Sequence, residues 1–455
     1  PGFSQSGGMG LMSAQWMVEG ESQYDMFAWD VARFGDWADK AFTKARVGDQ
    51  YAKRFAIHFP NEERDAGRPV RTRPAHALQT TLGGVFGLNY GWEHVQWFAD
   101  HPGAKDTNGF TRQNWFEPVG RECRMLRNTA GIIDISNFAK YRVCGGQAEA
   151  WLNAVFANKM PKAVGRSCLT PLIGVRGGIA GDFTVTRLAE DEFMIIGSGM
   201  AERYHQRFWK MVPMPAGVSF ESLTEALCGF NVAGPKSRAL LQRLTNTSLA
   251  TEDFPFMRSK RIELAGVDCV ALRVSFTGDL GWELHCKTDD QLRLYEALLD
   301  CAKDFEAGPV GARALMSLRV EKGYGSWSRE YSPEYWPQEV GLAGLIKLDK
   351  DFLHKEAYLA IKDKDPRERL CIVEILAPDH ADATGGEPIF DKAGAGVGRV
   401  TSGTYGYGVN KSLALCYLKN VTAGDELDVM ILGKPHHAIV LPEAPFDPKG
   451  EKLRA

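Results

Sequence analysis

The sequence lacks the patterns that mark disulfide-bonded, zinc-binding and membrane-spanning proteins. Its nine cysteines are scattered between Cys123 and Cys416 without a C-x-x-C pair, so neither a zinc spacing nor a disulfide framework is indicated. Its apolar runs stay well short of the roughly 18 residues that a membrane span requires. We therefore expect a protein of a reducing compartment, with no membrane as its partner.

Charge of either sign is not in excess. The 54 basic and 57 acidic residues nearly balance, and the formal net charge is -3. Such a balance gives no electrostatic reason to expect nucleic acid or an anionic lipid surface as a partner, so a small molecule is expected. The 455 residues, 44% of them hydrophobic, predict two to four domains with ample core, at roughly 100–200 residues per domain.

Several common catalytic motifs are also missing. The sequence contains no H-E-x-x-H, no G-x-S-x-G elbow and no G-x-x-x-x-G-K-[ST] loop. Its adjacent His436 and His437 lie in a strand-like stretch, where neighbouring side chains are expected to face opposite ways. A metal site, a serine hydrolase and a nucleotide phosphate site are therefore not indicated. A site built around carboxylates remains.

The first residues carry a glycine-rich pattern. Gly7, Gly8 and Gly10 precede a helix-like run over residues 11–18. The pattern predicts a loop followed by a helix, and the alternative is a loop whose backbone N–H groups approach a cofactor oxygen. Since the sequence opens on Pro1 instead of methionine, we expect it to be the remainder of a longer chain.

Along the rest of the chain, short alternating strands and amphipathic helices predict an α+β protein. Strands are indicated at 183–188 and 193–196, and a capping box of Thr288 and Gln291 predicts the start of a helix. The proline- and arginine-rich stretch at 64–76 is typical of an extended connector. Residues 369–442 carry strand signals and glycine turns, which predict a small β domain.

Two acids have neighbourhoods that favour function. Asp182 follows a run of small residues and leads into a predicted strand that would hold it in place. Glu283 follows a glycine-flanked turn, and in a strand it would face away from Trp282. A carboxylate of this kind is suited to binding a flat heterocycle through its N–H groups. The alternative is that both acids are ordinary turn and surface residues.

Six stretches, quoted in chain order, resemble the glycine-cleavage T-protein (aminomethyltransferase) family. They are NTAGIIDISNFAKYRVCGGQAEAWLN, GGIAGDFTVTRLAEDEFMII, NVAGPKSRALL, FTGDLGWELH, SLRVEKGYGSWSRE and GRVTSGTYG. The resemblance runs from about residue 82 to the end and is closest to the folate-binding half of FAD-dependent dimethylglycine and sarcosine dehydrogenases. The opening GFSQSGGMGLMSAQWMVEGE resembles the last segment of their FAD-binding domain, and residues 51–74 and 85–98 resemble their interdomain region.

The resemblance implies a fold and a domain plan. The fold would be the α+β, three-lobed T-protein arrangement around a folate channel, with a small C-terminal β-barrel. The implied parts are a remnant of an FAD-binding domain at 1–23, a connector at 24–81, a folate-binding domain at 82–365 and the barrel at 366–455.

Site residues are implied position by position. Asp182 matches the essential aspartate of the family, beside N5 and N10 of tetrahydrofolate, and Glu283 matches the glutamate that binds the pterin. Ser198 occupies a position that is asparagine in T-proteins. Phe276 replaces the pterin-site tyrosine and keeps a stacking face without the hydroxyl. The Ala-Arg-Asp of T-proteins aligns with Ala-Leu-Met at 314–316, and Arg313 lies nearby as a candidate folate contact.

The implied activity is tetrahydrofolate-dependent one-carbon transfer. The carbon would come from flavin-dependent demethylation of an N-methylated glycine and leave as 5,10-methylenetetrahydrofolate. The implied cofactors are tetrahydrofolate and FAD, the latter held by an N-terminal FAD-binding domain or chain. The small-molecule partners would be a methylated amine and folate. The expected location is the cytoplasm of a bacterium or the mitochondrial matrix of a eukaryote.

Two other functions are compatible with the same resemblance. One is a folate-dependent S- or O-demethylase of the dimethylsulfoniopropionate demethylase type, which needs no flavin. The flavin-like opening of the sequence argues against it. The other is a non-catalytic folate-binding protein of the iron–sulfur assembly type. Those proteins carry a Lys-Gly-Cys-Tyr signature, and the corresponding stretch EKGYGSWSRE at 321–330 has no cysteine.

Overall fold

The computed structural model describes residues 2–377 and 379–455. Its α-helices are α1 (Gly2–Glu19), α2 (Lys40–Ala52), α3 (His76–Thr81), α4 (Phe116–Asn128), α5 (Ala148–Val155), α6 (Glu202–Trp209), α7 (Ser237–Gln242), α8 (Gln291–Ala302), α9 (Ala312–Glu321), α10 (Lys355–Leu359) and α11 (Glu451–Arg454).

The strands are β1 (Gly84–Asn89), β2 (Trp92–Phe98), β3 (Gly131–Asp134), β4 (Ala139–Cys144), β5 (Ser167–Ile173), β6 (Ile179–Ala189), β7 (Glu192–Gly197), β8 (Ser219–Ser222), β9 (Leu227–Ala233), β10 (Ser259–Leu264), β11 (Val267–Leu272), β12 (Gly281–Lys287), β13 (Gly308–Val310), β14 (Arg369–Ile375), β15 (Pro388–Asp391), β16 (Gly396–Gly406), β17 (Lys411–Leu418), β18 (Glu426–Ile431) and β19 (Lys434–Val440).

These elements form two compact units, each assembled from three separate stretches of the chain. Unit A contains residues 2–33, 139–222 and 325–370. Unit B contains residues 34–138, 223–324 and 371–455. The four-part division expected from the sequence stays a prediction.

Unit A is built on a five-stranded antiparallel sheet in the order β5-β6-β7-β4-β8. The strands predicted at 183–188 and 193–196 are confirmed as parts of β6 and β7. Helix α6 covers the sheet because its apolar residues recur at helical spacing, which buries Tyr204, Phe208 and Trp209. The side chain of Trp209 packs against the ring of Tyr141 at 4.5 Å between centroids.

The larger sheet of unit B has six strands in the order β10-β11-β12-β9-β3-β13. Its pairings are antiparallel except for β13, which runs parallel to β3. Helix α8 packs on this sheet, and its Tyr295 stacks on Phe230 of β9 at 5.0 Å between ring centroids. Trp282 of β12 is fully buried in the same core.

The C-terminal strands of unit B close into a six-stranded barrel in the order β14-β17-β16-β15-β18-β19. Alternating apolar residues point inward and form a core of their own, which includes Val373, Ile389, Cys416 and Val429. The predicted α+β class with a small C-terminal barrel is therefore confirmed. His436 is buried and lies 2.9 Å from Asp379, while His437 lies on the more exposed face, as the strand period predicts.

Two local predictions were wrong. Residues 7–10 do not form a loop, because α1 runs from Gly2 to Glu19 and includes Gly7, Gly8 and Gly10. Thr288 caps no helix, since its hydroxyl donates to the Glu225 carbonyl at 2.7 Å and α8 begins three residues later.

The end of the connector is held by aromatic and charged side chains. Arg71 and Arg73 place their guanidinium groups over the ring of Trp92, each 3.7 Å from a ring centroid. Arg73 also donates to the backbone oxygens of Thr224 and Glu225. Across the described residues, no helix is both long and apolar enough to span a membrane.

Candidate functional site

Asp182 lies inside strand β6, not in the loop before it. The strand starts at Ile179 and pairs Asp182 with Pro171 of β5. Because side chains alternate along a strand, Phe183 enters the core of unit A while Asp182 faces the opposite side and is only half-buried. The small residues before Asp182 thus begin the strand itself.

The surroundings of Asp182 favour its neutral form. Burial raises the pKa of Asp182 to about 6, and a hydrogen bond from its own backbone N–H acts in the opposite direction. No ion pair to Asp182 forms within the described part of unit A. A carboxylate that titrates near 6 without a fixed cation is suited to accepting a proton at neutral pH.

Ser198 lies just beyond the paired end of β7. Strands β6 and β7 pair Thr184 with Ile196, and β7 ends at Gly197. Ser198 is half-exposed, and its side chain caps no backbone group of the 3-10 turn that follows. A shared site of Ser198 and Asp182 stays a prediction.

His205 of α6 supports the strand that carries Asp182. It is fully buried, and its ring packs against Phe183 at 4.7 Å between centroids. A Cβ added at Gly181 would lie 2.8 Å from His205 Nε2, so only glycine fits beside this ring. Burial lowers the pKa of His205 to about 3, and contact with the Ala180 backbone acts in the opposite direction. His205 is therefore a neutral side chain at neutral pH.

Glu283 lies in β12 of unit B, and its side chain is partly exposed. Trp282 and Glu283 point to opposite faces, as predicted, because they are neighbours in a strand. The Glu283 carboxylate is 18% exposed and lies 3.5 Å from Nε2 of His285, two residues further along the same face. Its strand pairs it with Leu272 on one side and with Asn231 of β9 on the other.

Asn231 adds an unused acceptor beside Glu283. Its amide nitrogen donates to the backbone oxygens of Trp282 and Val274, at 3.2 and 3.4 Å. Its Oδ1 atom is buried and has no hydrogen-bond partner among the described residues. A buried acceptor without a donor is costly, which indicates a site that a ligand N–H group completes.

Phe276 lies in the loop before β12. Asn231 donates a hydrogen bond to the Val274 carbonyl in the same loop. Its ring stacks on Tyr324 at 5.9 Å between centroids and 19° between planes, and both side chains are half-buried. This pair forms a flat apolar surface in unit B. Stacking of Phe276 on a pterin ring stays a prediction.

Arg313 is engaged by another side chain. At the start of α9 it forms two hydrogen bonds to the Asp106 carboxylate, at 2.7 and 2.9 Å, and its guanidinium lies over the ring of Trp115. Asp106 also accepts a hydrogen bond from the Trp97 indole. A folate contact by Arg313 stays a prediction.

Two residues of the site escaped the sequence analysis. Asn231 opens the stretch NVAGPKSRALL, so the motif was present, but its role depends on pairing with a strand 50 residues away. His205 lies in the helix ERYHQRFW, where its spacing looks like an ordinary buried position. The prediction that Asp182 and Glu283 serve one cavity stays a prediction, since they belong to different units.

Tetrahydrofolate can be tested against these residues by its chemistry. The pterin presents an amino group and ring N–H groups, which require acceptors, and a flat ring, which requires a stacking surface. Glu283 and Asn231 Oδ1 supply the acceptors, and Phe276 with Tyr324 supplies the surface. The residues present in unit B fit the pterin.

Three family models match consecutive parts of the chain. The GCVT N-terminal domain matches residues 75–350, and the glycine cleavage T-protein C-terminal barrel domain matches residues 368–447. The FAD dependent oxidoreductase central domain matches residues 19–72.

Curated relatives agree with these matches. The mitochondrial dimethylglycine dehydrogenase of Mus musculus is 34% identical over 97% of this chain and 51% of its own length. The formaldehyde-forming 4-methylaminobutanoate oxidase of Paenarthrobacter nicotinovorans is 31% identical over 100% of this chain and 56% of its own length. The chain thus spans about half the length of these relatives.

A solved structure supports the fold. The glycine cleavage system aminomethyltransferase T from Bartonella henselae aligns with a TM-score of 0.71 and 23% identity, over 83% of this chain and 98% of that protein. This similarity shows that the chain has the aminomethyltransferase fold. The two T-protein family models match the N-terminal domain and the C-terminal barrel of that fold. The chain therefore belongs to the glycine-cleavage T-protein (GCVT) family.

Proposed function

We propose that this chain is a tetrahydrofolate-dependent one-carbon transfer module. It would capture the iminium or formaldehyde carbon released by flavin-dependent demethylation of an N-methylated glycine, as 5,10-methylenetetrahydrofolate. The observation that carries the proposal is the Asp182 carboxyl, with its pKa raised to about 6 by burial and no ion pair within unit A. This group lies at the position where the family has its essential aspartate.

Asp182 performs the proton transfer in this proposal. Its carboxylate accepts a hydrogen bond from the attacking amine and takes the proton released when the new C–N bond forms. General base catalysis of this kind is typically worth about 10²–10⁴-fold in rate. Strand β6 fixes the carboxylate, and Ser198 is a further candidate to donate a hydrogen bond to the ligand.

Binding residues hold the pterin in unit B. Tetrahydrofolate supplies the nucleophilic nitrogen that accepts the carbon. Glu283 and Asn231 accept hydrogen bonds from the pterin, and Phe276 with Tyr324 stacks against its ring. Glu283 as an anion accepts two N–H groups, a pattern that glutamine does not reproduce because one of its ends is a donor.

The flavin part of the proposal rests on residues 19–72, which match the FAD dependent oxidoreductase central domain, and on the longer relatives. We assign FAD to an N-terminal FAD-binding domain or chain. The steps given to Asp182, Glu283 and Asn231 do not depend on FAD. The relatives act, by their names, on dimethylglycine and 4-methylaminobutanoate. Both are N-methylated amino acids, and dimethylglycine is one of the N-methylated glycines that we propose as substrates.

The test combines binding and transfer. Titration calorimetry with tetrahydrofolate is expected to show binding by the wild-type chain and by Asp182→Asn, and weaker binding by Glu283→Gln. Methylenetetrahydrofolate formation from formaldehyde, measured above the uncatalysed rate, is expected in the wild type and lost in Asp182→Asn.

Two matched variants control for unspecific effects of charge removal. Asp191→Asn alters an exposed acid in the β6–β7 turn, and Glu263→Gln alters an exposed acid in β10 of the same sheet as Glu283. Both are expected to behave as wild type. Equal affinity of wild type and Glu283→Gln, or full transfer by Asp182→Asn, would contradict the proposal.

A folate-dependent S- or O-demethylase is the second candidate within this family. It needs no flavin, so the match of residues 19–72 to an FAD dependent oxidoreductase domain favours the first proposal. A non-catalytic folate-binding protein is the third. The assay with formaldehyde separates it from the first, since a binding protein would bind tetrahydrofolate and leave the rate at the uncatalysed value.

A further inference from the structure

Exposed large apolar side chains are concentrated near the start of the chain. Twenty-one large hydrophobic residues are exposed in the described structure, and eleven of them lie between Phe3 and Ile57. This stretch is only about an eighth of the sequence. Single exposed apolar residues are normal, but a concentration of them in one segment indicates a surface that a partner covers.

Helix α2 of unit B has its faces arranged in an unusual way. The side packed toward its own unit carries Phe42, Ala45, Arg46 and Asp49, which are partly buried. On this side, Arg46 donates a hydrogen bond to the backbone oxygen of Arg64. The Asp49 carboxylate accepts a hydrogen bond from the Arg64 guanidinium. The inward contact thus combines these polar bonds with edge-on packing of Phe42 against Trp37, at 5.1 Å between ring centroids, and the helix has no fully buried residue.

The outward side of the same segment is apolar. Val47 and Tyr51, one helical turn apart, are 51% and 68% exposed, and Phe55 and Ile57 beyond the helix are 89% and 69% exposed. These four residues are called the outer strip. Arg54 lies over the rings of Tyr51 and Phe55, at 5.9 and 4.8 Å from the centroids. The outer strip thus leaves two aromatic and two β-branched side chains of one short segment exposed to solvent.

We propose that the outer strip is the docking surface for an FAD-dependent oxidoreductase region. The strip lies within residues 19–72, which match the central domain of such oxidoreductases. The relatives are about twice as long as this chain, so they contain a further region of a size that can cover it. The inference rests on the proposed function for the identity of the partner.

The charges around the strip describe the partner's surface. Lys44, Lys53 and Arg54 are exposed at its edges, while the acid on this helix, Asp49, is paired with Lys53 at 2.7 Å and with Arg64 at 3.1 Å. The rim is thus basic and the centre apolar and aromatic. The complementary surface has an apolar centre and acidic residues at its rim, since aromatic centres and charged rims are typical of protein interfaces.

The test measures association directly. The chain is mixed with the FAD-loaded oxidoreductase region of the same organism, encoded with it or as a separate polypeptide, and followed by analytical ultracentrifugation. The wild-type chain is expected to form a one-to-one complex. The double variant Tyr51→Ser with Phe55→Ser is expected to raise the Kd at least about tenfold, because buried aromatic residues dominate interface energies.

The control variant is Leu376→Ser, which removes an apolar side chain of similar exposure, 51%, elsewhere in unit B. It is expected to associate as wild type. Unchanged association of the double variant, no association of the wild type, a dimer of this chain that the double variant dissociates, or binding of the strip to phosphatidylcholine and phosphatidylserine vesicles would each overturn the proposal.

Titration with tetrahydrofolate separates this inference from the proposed function. The double variant is expected to bind tetrahydrofolate with wild-type affinity, because the strip shares no residue with the pterin site. Folate binding without docking would reject the docking surface alone. Docking without folate binding would reject the one-carbon transfer function and leave the surface in place.

Discussion

At the scale of single residues, environment decides what each acid can do. Asp182 is half-buried without an ion pair in its unit, and burial raises its pKa to about 6. Glu283 lies beside His285 in a more open position and faces an unused acceptor, Asn231 Oδ1, across the strand pair. One carboxyl is thus suited to proton transfer and the other to binding.

The raised pKa of Asp182 predicts a pH-dependent gain in stability for Asp182→Asn. Below pH 3.8 the Asp182 carboxyl is protonated in both the folded and the unfolded wild type, so it does not lower the free energy of unfolding. Between pH 3.8 and about 6 this carboxyl ionises in the unfolded chain but stays protonated in the folded protein, which increasingly favours unfolding. Above about pH 6 it is ionised in both states, and the loss of stability has reached its full value. We expect Asp182→Asn to be about 2–3 kcal/mol more stable than wild type at pH 8.

Denaturant unfolding at several pH values measures this difference, which is expected to shrink as the pH falls toward 4. A constant difference would contradict the assignment of the pKa. Wild-type transfer activity is expected to rise with pH around a midpoint near 6, since the base must be deprotonated. Asp191→Asn serves as the control in both measurements.

The orphaned acceptor of Asn231 predicts a binding defect in Asn231→Ala. The variant removes one pterin acceptor and the two donor contacts to Trp282 and Val274. We expect tetrahydrofolate affinity to fall at least about tenfold, which is the loss of one good hydrogen bond in a buried site. Calorimetry measures it. Glu263→Gln, at an exposed position of the same sheet, is expected to bind as wild type.

At the scale of elements, the strand that carries Asp182 is positioned by close backbone packing. The N–H of Ile179 donates to the Tyr335 carbonyl at 3.0 Å, and a Cβ at Gly178 would overlap the carbonyl oxygen of Pro333. His205 then closes on Gly181 from α6. The small residues before Asp182 therefore allow unit A to pack tightly around the strand, which holds the carboxyl in place.

This packing predicts that Gly178→Ala is harmful. The added methyl group meets backbone, which cannot rotate away, so we expect a loss of about 1–3 kcal/mol of stability. Transfer activity is expected to fall as well, because the strand of Asp182 must shift. Thermal unfolding and the formaldehyde assay test both. Gly146→Ala, at an exposed turn with no atom near the added group, is expected to behave as wild type.

At the scale of the whole molecule, buried charges connect the barrel of unit B with the helices α4 and α9 of the same unit. Arg127 of α4 pairs with Asp279 and with Glu321 of α9, and all three side chains are buried. Glu321 also accepts a hydrogen bond from the N–H of Gly408, in the turn between β16 and β17 of the barrel, at 2.7 Å. One cation thus supports a network that reaches from the main sheet to the barrel.

Removal of this cation predicts a large loss of stability. In Arg127→Met two buried carboxylates lose their partner, which typically costs about 3–5 kcal/mol. The pKa of Asp279, already raised to about 6 by burial against the opposing effect of Arg127, is expected to rise further. Guanidinium unfolding measures the loss. Arg124→Met, on the same helix but half-exposed at 3.9 Å from Glu117, is expected to cost little.

Much of this molecule follows from the order of its residues. Alternation of side chains predicted parts of β6 and β7, set Trp282 opposite Glu283 and indicated a small C-terminal β domain, because these patterns depend only on neighbours a few residues apart. The family resemblance implied that this domain is a barrel and gave Asp182 and Glu283 their roles. Propensity misjudged the glycine-rich start, where α1 forms despite Gly7, Gly8 and Gly10.

Tertiary structure alone decided which distant residues meet. Strand register set Asn231 across from Glu283, and helix packing brought His205 against Gly181. Packing also paired Arg313 with Asp106 and left the outer strip exposed. The sequence determines each strand and helix through short-range patterns, whereas the pairing of β9 with β12 joins residues that are distant in the sequence, which short-range patterns do not encode.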